Sequence, residues 1–259
     1  MTRALPRTNF NRSKLSHTLE MLNLVTGVMP GHASVEQLAG WVDATAAMRL
    51  YAAHNAGIGA ALVSTAPATL AELAEECACL RAVLAQAIEK SCSPGIGVPN
   101  TAGGMRIRLP VPDPTAPSEI ADNYEPYRRF QLAHQREMET AIAPLRAKVR
   151  ATLAQSGAAQ AKLAALDTAL GDILAGREAK LLAKVPALLE QRFVQQRDIY
   201  RQALAATGQT DDPAIWLQPD GWLAHFCQEM RDTLLAELDL RLQPVMGLIE
   251  AFSNEVSVQ

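Results

Sequence analysis

The chain has 259 residues, of which 49% are hydrophobic, 20% charged and 5% aromatic. This composition excludes a fully disordered protein and argues against an aromatic-rich β-sandwich. The net charge of −3 gives no global positive field of the kind that holds proteins on nucleic acid or anionic membranes. Alanine and leucine, with 45 and 33 residues, make up close to a third of the chain, and both favour helices. The composition therefore predicts an all-α fold.

Residues 1–92 are predicted to form an N-terminal helical unit. Hydrophobic periodicity indicates three helices here, at about residues 12–28, 34–57 and 67–90. Ser34 and Gln37 have the spacing of a capping box at the start of the second helix. Pro67 suits the first turn of the third, because proline there loses no backbone hydrogen bond. The three helices are expected to pack as one unit.

Residues 93–118 are predicted to be a linker. Their sequence, SPGIGVPNTAGGMRIRLPVPDPTAPS, is dense in Pro and Gly, and repeated prolines preclude a continuous helix. One short strand is expected between Met105 and Val111. Glycine-rich loops cradle phosphates when they join a strand to a helix, but that context is missing here. The sequence therefore favours a linker over a phosphate-binding site.

Residues 119–259 are predicted to form a long helical domain, because apolar side chains recur at three- and four-residue steps along three segments. The first segment ends at a turn near Gly157, the second runs from there to about Ala206, and the third begins near Asp220. Three prolines fall inside these patterns and predict kinks: Pro144, Pro186 and Pro244. We expect a kinked antiparallel helical hairpin followed by a C-terminal helix.

The sequence predicts no catalytic, cofactor-binding or metal-binding residue. Its four cysteines match the spacing of neither a disulfide framework nor a zinc finger: Cys77, Cys79, Cys92 and Cys227. The paired Glu-x-x-His motifs of di-iron bundles and the HExxH and GxSxG motifs do not occur in the sequence. We therefore expect free thiols in a reducing compartment and a protein that is not an enzyme.

Neither the N-terminus nor the longest uncharged stretch predicts a membrane segment. The N-terminus is basic, but Asn11, Ser13 and Lys14 interrupt any apolar core of a signal peptide. The stretch between Arg49 and Glu72 contains Gly, Pro, Asn and His, which disfavour insertion into a bilayer. We expect a cytoplasmic protein without direct membrane insertion.

A basic segment, YEPYRRFQLAHQREMETAIAPLRAKVR, begins at Tyr124 and offers a candidate nucleic-acid surface. Its candidate contacts are Arg128, Arg129, Arg136, Arg146, Lys148 and Arg150. However, Tyr127 and Phe130 fall on the apolar stripe while the arginines fall mostly outside it, as in an ordinary amphipathic helix. Residues 220–259 carry seven acidic side chains against two arginines. We therefore favour pairing of the basic helix with this acidic helix, within or between chains, over nucleic-acid binding.

The C-terminal helix carries an apolar seam that we predict to bind a protein partner. The candidate contacts are Leu238, Leu242, Val245 and Ile249. Helices longer than their own core requires are typical of proteins that pair with a coiled-coil partner or with a second copy of themselves. The sequence therefore predicts a non-catalytic helical adaptor that can form a homo-oligomer.

Four stretches resemble a family of bacterial α-helical proteins known only as a domain of unknown function: ALPRTNF, PYRRFQLAHQREMETAIAPLRAKVR, LLAKVPALLEQRF and LLAELDLRLQPVMGLIEAF. They span most of the chain, and none is a catalytic motif. The resemblance implies genes that lie beside those for a motor-like or TolQ-like membrane protein and an OmpA-like envelope protein. It thus implies a cytoplasmic accessory of an envelope-spanning, ion-driven assembly, whose membrane subunit would carry a coiled-coil extension. The alternative is a nucleic-acid-binding effector of a defence-like system, acting through the basic helix.

Overall fold

The computed structural model describes residues 14–22, 44–55, 69–93, 97–99, 106–113, 115 and 122–256. Their regular elements are α1 (Lys14–Met21), α2 (Ala44–Asn55), α3 (Leu70–Ser91), β1 (Gly97–Pro99), β2 (Arg106–Arg108), α4 (Glu125–Ser156), α5 (Ala158–Leu182), α6 (Val185–Thr207) and α7 (Trp222–Val256). The predicted all-α class is confirmed.

Helix α7 lies at the centre of the described structure and packs against α1, α3, α4, α5 and α6. Three consecutive residues of α7, Ala236, Glu237 and Leu238, are buried, so neighbours cover this helix on more than one side. The Glu237 carboxylate accepts hydrogen bonds from Gln135 of α4 and Arg241 of α7, at 2.9 Å in both cases. The helix therefore carries both the apolar core and a buried ion pair.

Helices α1 and α3 are joined to α7 by a shared carboxylate. Lys14 Nζ lies 2.6 Å from Asp239 Oδ2, and Arg81 Nε lies 2.8 Å from Asp239 Oδ1. Helix α3 begins at a capping box in which Thr69 and Glu72 exchange hydrogen bonds between side chain and backbone. Two other sequence signals for helix starts, Ser34 with Gln37 and Pro67, lie outside the described residues.

Helices α4 and α5 form the predicted antiparallel hairpin, with Gly157 between them. Asp167 of α5 holds the two helices together, because it accepts hydrogen bonds from Arg146 and Arg150 of α4. Burial alone would raise the pKa of Asp167, but the bonds from the two arginines outweigh it and lower that pKa. The hairpin is thus tied by a carboxylate that stays ionised at neutral pH.

The prediction of one helix from residue 158 to 206 is wrong. Helix α5 ends at Leu182, and α6 begins at Val185 with Pro186 in its first turn. Proline fits there because an amide hydrogen in the first turn has no partner within the helix, whereas in a continuous helix its ring would clash with the preceding turn. Pro144 and Pro244 do lie inside α4 and α7, as predicted.

The segment between α3 and α4 contains a small antiparallel hairpin in which Val98 pairs with Ile107. Both side chains are buried, whereas Arg106 and Arg108 point to solvent. Strand β2 falls inside the predicted strand, and β1 was not predicted. The division into residues 1–92, 93–118 and 119–259 stays a prediction, although described helices on both sides of the linker share one hydrophobic core.

Candidate partner-binding surface

The four residues predicted to bind a partner form part of the chain's own core. Leu238, Leu242, Val245 and Ile249 are each at most 9% exposed. They are covered because α7 is surrounded by other helices of the same chain. The folded chain therefore has no exposed seam at these four positions, and a partner surface has to be sought elsewhere.

The six residues predicted as nucleic-acid contacts lie along α4, and five of them pair with carboxylates. Arg128 and Arg129 contact Glu125 within the same helix. Lys148 Nζ lies 2.5 Å from Glu76 Oε2 of α3. Arg146 and Arg150 share Asp167, as described above. Arg136 is exposed. Since most of these charges are neutralised locally, they do not form a free basic surface.

The expected pairing of this basic helix with acidic residues of the C-terminal helix is not what the described residues show. The carboxylate partners of α4 belong to α3, α4 and α5 instead. The acidic residues of α7 pair with other cations, as when Glu229 accepts two hydrogen bonds from Arg192 of α6. Charge pairing within the chain is therefore extensive, but its partners differ from those predicted. Pairing between chains stays a prediction.

Helix α5 buries few of its residues, although α2 and α4 pack against it. Of its 25 residues, only Ala164 and Leu182 are buried. Every residue from 175 to 181 is exposed, so about two helical turns have no packed side among the described elements. Two large apolar side chains on α5 are solvent-exposed, Leu170 at 39% and Leu181 at 52%. Such exposure of an apolar helix is typical of an interaction surface.

An apolar groove runs between α5 and α7, with a volume of about 480 Å³. One wall is formed by Leu170, Leu174 and Leu181 of α5, and the other by residues of α7 that include Leu240, Pro244 and Gly247. We call this feature the α5–α7 groove. Its walls come from two helices that otherwise make few contacts with each other.

A second groove of about 560 Å³ separates α5 from α4 on the other side. Arginine and acidic side chains line much of it, including Arg136, Arg241 and Asp172. A side chain at Gly171 would come within 3.0 Å of Arg150 Nη2, so this glycine lets the α4 arginines lie against the α5 backbone. From Gly171 to Leu182, α5 is therefore flanked by one groove towards α4 and another towards α7.

A buried serine–histidine pair lies near the end of α3. Ser91 Oγ is 2.7 Å from His134 Nε2, and both residues are buried. The Ser91 hydroxyl also lies 3.0 Å from the Ile88 carbonyl oxygen, so a Ser91 hydroxyl that donates to Ile88 accepts a hydrogen bond from His134 Nε2–H. Donor and acceptor roles between Ser91 and His134 depend on the tautomer of the imidazole. The pair was missed at the sequence level because its residues lie 43 positions apart.

Within the described ranges, no three His, Cys, Asp or Glu side chains cluster closely enough to hold a metal ion. The cysteines are free thiols, and Cys77 and Cys227 are buried. Burial raises the pKa of the Cys92 thiol to about 12, so this thiol is protonated at neutral pH. No helix in the described part of the chain is long and apolar enough to cross a bilayer.

No curated protein and no solved structure matches the chain. A family model described as "Protein of unknown function (DUF3348)" matches residues 1–254. The match covers nearly the whole length, including all four stretches on which the resemblance was based. The chain therefore belongs to the DUF3348 family.

Proposed function

We propose that this chain is a non-catalytic helical adaptor that binds another protein through α5. The observation that carries the proposal is the exposure of residues 175–181 on all sides of a helix rich in Ala and Leu. In a helix that serves only its own core, an apolar stripe faces that core and is buried. In α5, Leu170 and Leu181 are instead exposed to solvent beside the α5–α7 groove.

The packing around α5 supports this proposal, because the exposed part of the helix is anchored on both sides. The Asp167 interactions anchor the first half of α5 to α4, and Leu182 anchors its end in the core. The exposed turns between these two anchors are thus held in place before a partner binds. Preorganisation of this kind lowers the entropy lost on binding.

We further propose that the adaptor works in the cytoplasm and that its partner belongs to an envelope-spanning, ion-driven assembly. This part of the proposal rests on the family resemblance, which implies a motor-like membrane subunit with a coiled-coil extension. A coiled-coil helix is also the kind of ligand that a groove between two helices accommodates.

The test is crosslinking in the native host with a lysine-reactive reagent, followed by purification from solubilised membranes and mass spectrometry. Helix α5 offers Lys162 and Lys180 as reactive sites, and Lys184 lies in the turn directly after it; all three are exposed. We expect crosslinks from these lysines to an envelope-assembly subunit. Leu181→Asp should reduce recovery of that subunit at least about tenfold, because it places a charge in an apolar contact.

Ile199→Asp is the matched control, because Ile199 is 58% exposed on α6 and Leu181 is 52% exposed on α5. This variant should retain the partner. The adaptor function is wrong if α5 lysines form no crosslink to another protein. It is equally wrong if the two variants reduce recovery to the same extent.

A further inference from the structure

Two of the free cysteines lie on helices that pack against each other. Cys92 caps the C-terminal end of α3 and is partly exposed, whereas Cys227 lies in α7 and is buried. We propose that these two cysteines form a reversible disulfide, which locks the end of α3 onto α7 when the chain meets an oxidised small-molecule disulfide. This inference concerns regulation of the fold and does not depend on the partner of α5.

Helices α3 and α7 pack against each other in antiparallel orientation. Arg81 of α3 pairs with Asp239 of α7. The pocket beside this ion pair is also lined by Glu89 of α3 and Asp232 of α7, so residue numbers rise along α3 while they fall along α7. The ion pair and the pocket together give the register of the two helices.

This register brings the two cysteines to the same level. Cys92 lies about three turns after Arg81 along α3, and Cys227 lies about three turns before Asp239 along α7. Cys92 packs against the hydrophobic core to which Cys227 belongs. Burial, and then the nearby Cys92, raise the pKa of the Cys227 thiol, and one ionisable group shifts another in this way only when the two are close. Burial also raises the pKa of the Cys92 thiol, and Arg231, one turn after Cys227, opposes that rise.

The disulfide forms in two exchange steps with a small disulfide such as oxidised glutathione. The Cys92 thiolate attacks one glutathione sulfur first, because this cysteine is the more exposed of the two, and one reduced glutathione leaves. The Cys227 thiolate then attacks the Cys92 sulfur, and the second glutathione leaves. The two cysteines lose two protons and two electrons, and the glutathione disulfide takes up both.

Burial makes this crosslink slow to form. It raises the pKa of the Cys92 thiol to about 12, so little of the attacking thiolate is present at neutral pH. The reaction therefore follows lasting oxidation rather than brief changes, and the thiols stay free in a reducing compartment. The crosslink encloses residues 92–227, which contain α4, α5 and α6. It thus restricts opening of the part of the chain that carries the proposed binding surface.

The test incubates the full chain with oxidised glutathione, blocks the remaining thiols and identifies disulfide-linked peptides by mass spectrometry without reduction. We expect one linked pair, Cys92 with Cys227, and Cys92→Ser should abolish it. Cys79→Ser is the matched control at an exposed cysteine and should leave the yield unchanged. The crosslink should raise the temperature of unfolding by at least about 5 °C, because it closes a long loop in the unfolded chain, and reduction should reverse this gain.

The proposal fails if Cys92 and Cys227 remain thiols while Cys79 becomes glutathionylated. It also fails if Cys92 accumulates as a mixed disulfide with glutathione, since Cys227 would then lie out of its reach. A Cys92 disulfide that joins two chains, seen as a dimer in non-reducing electrophoresis, overturns it as well. So does an intramolecular crosslink that lowers the temperature of unfolding, because the bond would then distort the fold instead of locking it.

Discussion

At the scale of single residues, His134 shows how burial sets a protonation state. Its side chain is almost fully buried, and its ring packs edge-on against Phe130 at a centroid distance of 4.8 Å. Desolvation lowers the pKa of His134 from 6.5 to about 4, so the imidazole is neutral in the folded chain at physiological pH. The neutral ring keeps its hydrogen bond with Ser91, in which donor and acceptor roles depend on the tautomer.

This lowered pKa predicts a loss of stability in mild acid. The unfolded chain takes up a proton on His134 near pH 6.5, whereas the folded chain resists protonation until about pH 4. Between these values the unfolded state binds more protons, so the free energy of unfolding decreases as the pH falls, by up to about 3 kcal/mol. Urea unfolding of the wild type and His134→Gln at pH 7 and pH 4 measures this contribution.

Glutamine can still donate a hydrogen bond to Ser91 but does not titrate. The wild type should therefore lose about 3 kcal/mol more than His134→Gln between the two pH values. Carboxylates titrate in both proteins, and their contribution cancels in the difference. Equal losses in the two proteins would show that burial does not lower the pKa of His134 in the folded chain.

At the scale of elements, the start of α7 depends on close contact with the turn before it. The Ala224 amide donates a hydrogen bond to the carbonyl of Trp216, which directly follows the 3-10 turn Pro213–Ile215. A Cβ atom at Gly221 would come within 2.1 Å of that same carbonyl oxygen. Only glycine allows the backbone to pass at this distance, because the opposing atom is backbone rather than a flexible side chain.

Gly221→Ala is therefore expected to lower the free energy of unfolding by about 2 kcal/mol, the usual size of an overpacking effect. Gly176→Ala in α5 is the matched control, because a Cβ atom there meets nothing within 4 Å. The control should gain up to about 1 kcal/mol from better helix propensity. Thermal unfolding of both variants tests the pair, and the idea fails if Gly221→Ala is as stable as the wild type.

The elements that sequence could predict are those specified by local signals. The hairpin of α4 and α5, the turn at Gly157 and the last helix follow from apolar periodicity. The end of α5 was missed because the apolar stripe continues past Pro186, so the periodicity gives no break there. Strand β1 was missed because its three residues are too short for a periodic pattern.

The candidate surface on α5 was harder to predict than the helices themselves. Both α5 and α7 carry an apolar stripe in the sequence, and the sequence alone does not show which stripe is buried. Burial of Leu238 and Leu242 depends on helices from distant parts of the chain that surround α7. Exposure of Leu181 depends on the separation of α5 from its neighbours. A periodic pattern identifies a helix face that needs a partner, but it does not say whether the partner lies in the same chain.

At the scale of the whole molecule, the different burial of Leu242 and Leu181 predicts opposite outcomes when each is replaced by aspartate. Leu242 is completely buried in the central helix, so Leu242→Asp should destabilise the fold by about 5 kcal/mol or more and abolish most helical circular dichroism. Leu181→Asp should change stability by less than about 1 kcal/mol, because Leu181 is half-exposed. A folded, helical Leu242→Asp variant would contradict the central position of α7.

The position of α7 also has a consequence for biosynthesis. This helix follows every other described element along the chain, yet α1, α3, α4 and α6 all pack against it. Lys14 and Asp239 are 225 residues apart. At a translation rate of about 5–20 residues per second, the ribosome needs on the order of 10–45 s between these two residues. Until α7 is made, the apolar faces of the earlier helices that pack against it lack that cover, and apolar surface exposed in this way is what chaperones bind.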